Sequence, residues 1–464
     1  MELTISLQTT SKIPLYMQIY QHIQQEIWNG NIKVGSRLPS HRNLSLQLGV
    51  SRNTVECAYQ QLIAEGYAES KPKRGLFVSH VDYSVQQNEN NAGQTTIVPM
   101  PTETFRYDFH HGSIDTDSFP LSTWRKIMSH SFLQYESELF TNEDPQGEWQ
   151  LRNEISQYLY KARGVCSTPN QIIIGAGTQQ LLSLLIQLFP NHYKYGMENP
   201  GFHRVRAVLE SYNLPIHPIS LHDKGICITD LYKSEANIVY VTPSHQFPFG
   251  MIMPLSERMK LLKWANETQG YIIEDDYDGE FRYVGKPIPS LQGLDRNNRV
   301  IYAGTFSKSF LPSIRMSYLV LPSDLLRIYK ERGIIIKQTV PKIQQLAFSE
   351  FMKQGYWERH LNRIRTVYKR KHQRLISAIE DELGQFVRII GAQSGLHIVL
   401  QVHNGMTEKE LIQSSAKKNV KVYPLSLYDI TGHLQKESYV LLGFGGIQED
   451  EISNAITLLK EAWS

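Results

Sequence analysis

The chain has 464 residues, of which 41% are apolar and 20% charged, and a formal net charge of +3. This composition is that of an ordinary globular protein and excludes disordered and fibrous classes. The near-balance of charge means that any nucleic-acid contact must come from a local patch. No run of about 18 uninterrupted apolar residues appears, and the N-terminal residues lack the basic-then-apolar order of a signal peptide. Three widely spaced cysteines, Cys57, Cys166 and Cys227, suggest neither a disulfide framework nor a zinc site. A cytoplasmic protein with no metal and no membrane partner is expected.

In chain order, Pro14 can open a helix, with Leu15, Ile19, Ile23 and Ile27 along one face and Asn29-Gly30 at its end. Ser40 then caps a short helix with Leu44 and Leu48 inward, closed by Gly49. Ser51 caps a third helix whose inner face is Val55, Ala58, Tyr59 and Leu62, and Gly66 stops it. A hairpin follows, with strands at Tyr67 to Glu69 and Leu76 to Val78 around the basic turn Lys71-Pro72-Lys73-Arg74-Gly75. Helix, glycine turn, helix and basic hairpin in that order predict a winged helix-turn-helix. Ser51, Arg52, Asn53 and Thr54 would lie at the exposed start of the second helix of the motif, within reach of base edges. Lys71, Lys73 and Arg74 would form a wing tip against phosphates. Taken alone, a basic turn is more often just a solvated surface; the ordered combination points to double-stranded DNA.

Residues 84–104, YSVQQNENNAGQTTIVPMPTE, break the periodic pattern with Gln, Asn, Thr and Pro, the composition of a linker. We therefore divide the chain into a DNA-binding head at 1–82, a linker at 83–106 and a large domain at 107–464. In the large domain, helices alternate with short apolar runs at 171–177, 237–243, 270–277 and 299–308. Such alternation predicts a mostly parallel sheet covered on both faces, with chemistry at the loops after the strand C-termini.

Polar groups fall at those loops. Lys308, in Thr305-Phe306-Ser307-Lys308-Ser309, follows a buried strand, where desolvation would lower its pKa and suit it to Schiff-base formation. The neighbouring hydroxyls and Arg315 could hold a phosphate. Asp275 in Glu274-Asp275-Asp276-Tyr277 could keep a pyridine nitrogen protonated, as pyridoxal phosphate (PLP) requires, while Tyr277 donates to the ring's phenolic oxygen. Gly175-Ala176-Gly177-Thr178-Gln179 reads as a glycine turn opening a helix, whose free N–H groups suit a phosphate. Phe202, in Asn199-Pro200-Gly201-Phe202, offers a face for stacking. Each signal alone has a bland explanation, such as a surface lysine, solvated acids, close packing or a core phenylalanine. Their order builds one cofactor site.

The head resembles the GntR-type winged helix through Pro14-Leu15-Tyr16, Leu38-Pro39-Ser40-His41-Arg42-Asn43-Leu44, Ser51-Arg52-Asn53-Thr54-Val55, Ala58-Tyr59, Leu62, Gly66 and Gly75. That resemblance implies operator contacts by Arg42 and by Ser51 to Thr54. The body resembles fold-type I, class I aminotransferase-like PLP domains, which implies a large α/β fold with a smaller C-terminal α+β subdomain. It implies Lys308 as the Schiff-base lysine, Asp275 on the pyridine nitrogen, Tyr277 on the phenolic oxygen and Phe202 stacked on the ring. Thr178, Gln179, Thr305 and Arg315 would surround the phosphate. A GntR-type head on such a body is similar to the MocR/GabR family of transcription regulators, with further matches at Asp144-Pro145-Gln146-Gly147, Leu151-Arg152, Pro243-Ser244-His245-Gln246-Phe247-Pro248 and Tyr423-Pro424. The resemblance implies a homodimer, with a head-to-tail arrangement as one form of it.

Three departures bear on activity. Aminotransferases carry Asn-Pro-x-Gly where this chain has Phe247-Pro248-Phe249-Gly250, leaving His245 or Gln246 to supply the polar contact. Leu442-Gly443-Phe444-Gly445-Gly446 contains no arginine where a substrate carboxylate would be gripped. The stacking residue is Phe202 where related regulators often have tyrosine. Arg204 could hold an effector carboxylate, or be a surface helix charge. The expected protein is a PLP-dependent regulator sensing a small amino acid or PLP itself, with Arg204 and His245 as effector contacts. The alternatives are a genuine aminotransferase with an accessory DNA-binding domain, and a body that only dimerises.

Overall fold

Hydroxyl caps and the four-residue apolar spacing organise the head. In the computed structural model, which describes residues 3, 5–8, 11–80, 104–283, 288–332 and 337–464, α1 spans Leu15–Trp28, α2 His41–Leu48 and α3 Arg52–Ala64. Ser40 Oγ accepts from the Asn43 N–H at 3.2 Å and Ser51 Oγ from the Thr54 N–H at 3.1 Å. Each satisfies an otherwise orphaned helix-start donor, worth about 1 kcal/mol. Gly49, at φ 66°, closes α2 in the left-handed region that a side chain would resist. Ile19, Ile23 and Ile27 are buried with Leu44, Val55, Ala58, Tyr59 and Leu62 in one core, and Leu48 packs at its edge. Strands β1 (Ala68–Lys71) and β2 (Gly75–Val78) pair antiparallel. The hairpin extends closer to its turn than the apolar pattern suggested, because Lys73 adopts φ 61° and lets Lys71 pair with Gly75.

Contacts divide the chain into two units, Met1–Thr102 and Glu103–Ser464. Most of the expected linker, residues 83–103, lies outside the described residues. In the second unit β3 (Tyr107–Asp108) is followed by α4 (Leu121–Gln134) and α5 (Trp149–Arg163). The main strands are β4 (Ile172–Gly175), β5 (Tyr195–Asn199), β6 (Ile216–His222), β7 (Gly225–Ile226), β8 (Ile238–Val241), β9 (Tyr271–Asp276), β10 (Val300–Thr305) and β11 (Ser317–Val320). They form one eight-stranded sheet in the order β4-β11-β10-β9-β8-β5-β6-β7. From β10 through β6 the pairs are parallel, whereas β11 runs antiparallel to both β10 and β4. The four apolar runs read from the sequence are β4, β8, β9 and β10. Alternate residues go to opposite sides: Ile273 and Ile301 join one apolar cluster, Ile272 and Val300 another. The sheet is therefore covered on both faces.

The remaining strands are β12 (Val387–Ile390), β13 (His397–Val402), β14 (Val420–Lys421), β15 (Tyr423–Pro424) and β16 (Tyr439–Gly443). Of these, β12-β13-β16-β15 make an antiparallel sheet, and β14 pairs with β3. With the helices Tyr356–Leu383 and Ile452–Trp463, which bury Trp357, Tyr368 and Trp463, this is the smaller α+β part. One buried ion pair braces the C-terminal end of β9: Arg163 Nε lies 2.5 Å from Asp276 Oδ2, and the Tyr302 hydroxyl donates to the same oxygen at 2.6 Å.

Candidate functional site

Strand order brings the candidate residues together. β9 and β10 are parallel neighbours with Ala303 opposite Asp275, so Asp275 and Tyr277 leave the sheet beside the loop that carries Lys308. β11 then returns antiparallel with Ser317 opposite both Thr305 and Gly175. That register places the Gly175–Gly177 turn and the start of α6 (Thr178–Leu188) next to Thr305. Ser317 Oγ donates to Thr305 Oγ1 at 2.8 Å, and that oxygen also accepts the Ser307 N–H at 3.2 Å. Phe202 stands immediately before α7 (His203–Ser211).

Lys308, Asp275, Tyr277, Phe202, Thr178, Gln179, Thr305, Arg315 and Arg204 all line a single cavity of about 320 Å³. Burial pushes the Lys308 amine down to about 8; Asp278 opposes this and the Arg204 charge adds to it. Its Nζ donates to the His111 carbonyl. Burial likewise raises the Asp275 carboxyl to about 7, against the hydrogen bond donated by Tyr240. Oδ1 of Asp275 has no partner among the described residues, an orphaned acceptor of the kind that a protonated ring nitrogen would satisfy. Arg315, at φ 48°, turns its guanidinium over Gly177, where a Cβ would lie 2.3 Å from Nη2. Gly177 is thus required for this approach, and the resulting cup of helix start and arginine suits a phosphate. Phe202 lies flat on Phe247, ring centroids 3.9 Å apart at 6°. These observations fit the residues to pyridoxal phosphate.

His245 differs from the expectation that it contacts an effector. It does not line the cavity; it is buried behind Tyr277, with Nδ1 on Asp278 and within 2.9 Å of the Tyr277 hydroxyl. The chain has left its strand at Val241 and runs through turns here, and the turn packs the ring inward against Asp278 and Tyr277. The sequence reading also missed His110, His111, His203, Tyr240 and Ser317, all of which line the cavity. Burial lowers the three imidazoles, His111 down to about 2. They surround the exposed Arg204 side of the site as neutral hydrogen-bonding groups.

In the head, Arg42, Ser51, Arg52, Asn53, Lys73 and Arg74 are exposed and Thr54 is half-buried. The Ser51 and Thr54 hydroxyls are 2.8 Å apart and engaged in the cap, whereas Arg42, Arg52 and Asn53 present exposed side chains. Lys71 is held by Glu69 at 2.8 Å and lies over Phe77.

A winged helix in one unit and a fold-type I α/β body in the other define a DNA-binding regulator of aminotransferase descent. Residues 15–78 match the gntR family of bacterial regulatory proteins, and residues 109–437 match aminotransferase class I and II. The chain is 47% identical to the HTH-type transcriptional regulator YdeL of Bacillus subtilis over 100% of both chains. It is 29% identical to the probable rhizopine catabolism regulatory protein MocR of Rhizobium meliloti, over 97% of this chain and 94% of that one. The kynurenine aminotransferase of Pyrococcus horikoshii superposes with a TM-score of 0.70 at 25% identity, covering 78% of this chain and 91% of that one. The chain belongs to the MocR/GabR-type family: it is a transcription regulator with a GntR winged helix and an aminotransferase-like domain.

Proposed function

We propose that the regulator binds pyridoxal phosphate in the 320 Å³ cavity and senses a small amino compound, or the cofactor itself, through Lys308. The convergence of a depressed lysine amine, a buried carboxylate with one unpartnered oxygen and an arginine-capped glycine turn on one cavity carries this reading. When bound, the cofactor supplies an aldehyde that condenses with amines and a pyridine ring that accepts electron density. Because burial lowers its amine to about 8, Lys308 presents a larger neutral fraction near physiological pH than a solvated lysine does. Asp275 would hold a proton at the ring nitrogen, Tyr277 would donate to the phenolic oxygen, and Phe202 would offer the ring a stacking face. Thr178, Gln179, Thr305 and Arg315 would hold the phosphate. Of the two arginines lining the cavity, Arg315 is then committed, and Arg204 remains for an effector carboxylate. His110 and His203 beside it offer further hydrogen bonds.

Arg42, Arg52, Asn53, Lys73 and Arg74 form the operator face, with Ser51 and Thr54 setting the start of the recognition helix. A homodimer is supported by the apolar side chains that α4 leaves exposed, Leu121, Phe132 and Leu133, with Phe140 just beyond. For an effector to switch operator binding, it must favour one arrangement of the dimer by about 1–3 kcal/mol.

The test is an absorbance titration of the purified protein with pyridoxal phosphate, then with small amino acids including both alanine enantiomers and γ-aminobutyrate. A band that forms in the wild type, is fixed by borohydride and is lost in Lys308→Ala supports the reading. A reducible adduct that survives Lys308→Ala refutes it. An amine that perturbs the band without sustained keto-acid release marks a sensor, whereas sustained release marks an aminotransferase.

A further inference from the structure

Behind the cavity, His245, Tyr277 and Asp278 form a buried cluster in which two residues have no assigned role. They are 2%, 6% and 2% exposed. His245 Nδ1 lies 2.9 Å from Asp278 Oδ2 and 2.9 Å from the Tyr277 hydroxyl, which is itself 3.0 Å from the His245 carbonyl. His397 packs beside it, ring centroids 4.8 Å apart, with Nε2 on the Pro248 carbonyl. Gly395 closes another side, where any Cβ would strike the His245 ring. Arg163 and Arg282 line a void of about 10 Å³ on the remaining side, with Ser244 and Ser394. The ring of His245 is therefore held in one orientation.

Hydrogen-bond valence then assigns its proton. A carbonyl only accepts, so His397 carries its proton on Nε2; burial keeps that ring neutral. A carboxylate also only accepts, so Asp278 places the His245 proton on Nδ1. The same N–H lies within reach of the Tyr277 oxygen, which leaves the phenolic proton to be given away. In the geometry described it goes to the His245 carbonyl. A hydroxyl that accepts one hydrogen bond becomes a stronger donor in the next.

We propose that His245, clamped by Asp278, is a positioning residue that directs the Tyr277 hydroxyl as donor to the phenolic oxygen of pyridoxal phosphate, and so tunes the Lys308 nitrogen. This rests on the cofactor reading above. A donor on the phenolic oxygen draws off negative charge that would otherwise hold a proton on the nearby lysine nitrogen. Removing His245 therefore raises the pH at which the visible band titrates.

The experiment is a pH titration of that band in the cofactor-loaded full chain. His245→Phe keeps a ring without a donor, and its midpoint should rise by about 0.5–1 pH unit, the equivalent of one hydrogen bond. His245→Asn, which keeps a side-chain N–H, should return most of the way to the wild-type midpoint. Tyr277→Phe should shift in the same direction, and adding His245→Phe to it should give no further change, since the two act as one unit. A wild-type midpoint in His245→Phe, or a shift that adds fully to that of Tyr277→Phe, overturns the proposal. Should His245→Phe fail to load, Asp278→Asn with and without Tyr277→Phe makes the same comparison. A wild type with no band, or a band that survives Lys308→Ala, defeats the cofactor reading itself.

Discussion

Gly177→Ala probes the phosphate cup with one carbon atom. Gly177 sits at φ 107°, ψ 162°, which L side chains rarely adopt, and its Cβ would lie 2.3 Å from Arg315 Nη2. Ordinary contact begins at 3.4 Å, so the guanidinium must retreat by about 1 Å or the turn must reshape. Either movement pulls Arg315 from its position over the start of α6. A charge-assisted hydrogen bond is worth about 1.5–3 kcal/mol, so pyridoxal phosphate should bind about 10- to 150-fold more weakly. The affinity of pyridoxal, which lacks the phosphate, should change far less. Both constants come from the absorbance titration, with circular dichroism showing that the fold is kept. Equal losses for the two ligands, or none for the phosphate form, would refute the assignment of Arg315 and Gly177 to the phosphate.

Two further expectations concern the lysine and the head. Because burial lowers the Lys308 amine to about 8, its neutral fraction grows as pH rises through that value. The rate of reducible adduct formation should climb between pH 7 and 9 and level off above; a rise that only begins near pH 10 would show a solvated lysine. Arg42→Ala or Arg52→Ala should weaken operator binding in a salt-matched assay and leave the cofactor band unchanged, each side chain being exposed in the head. Unaltered operator affinity in both would misplace the DNA face.

How much of this was legible in the sequence depended on how local the physics is. The head could be read almost residue by residue, since a cap, a four-residue apolar spacing and a glycine turn each act within a few positions: Ser40, Ser51, Ile19, Ile23 and Gly49 sit where the pattern put them. Of the candidate-site residues, Asp275, Tyr277, Thr305, Lys308 and Thr178 could be placed at strand ends for the same reason, because each ends or follows an apolar strand. Tertiary structure decided how those loops meet. The antiparallel return of β11 brings Ser317 against Thr305 and Gly175, although Gly175 and Ser317 are 142 positions apart in sequence. The same assembly adds His110, His111, His203 and Tyr240 to the cavity wall and turns His245 inward to Asp278. No spacing in the chain signals such partners, since strand order and register arise from burying both faces of the sheet at once. The sequence by itself determined which chemical groups the chain carries and at which strand ends. Only the folded sheet decided which of them share a cavity.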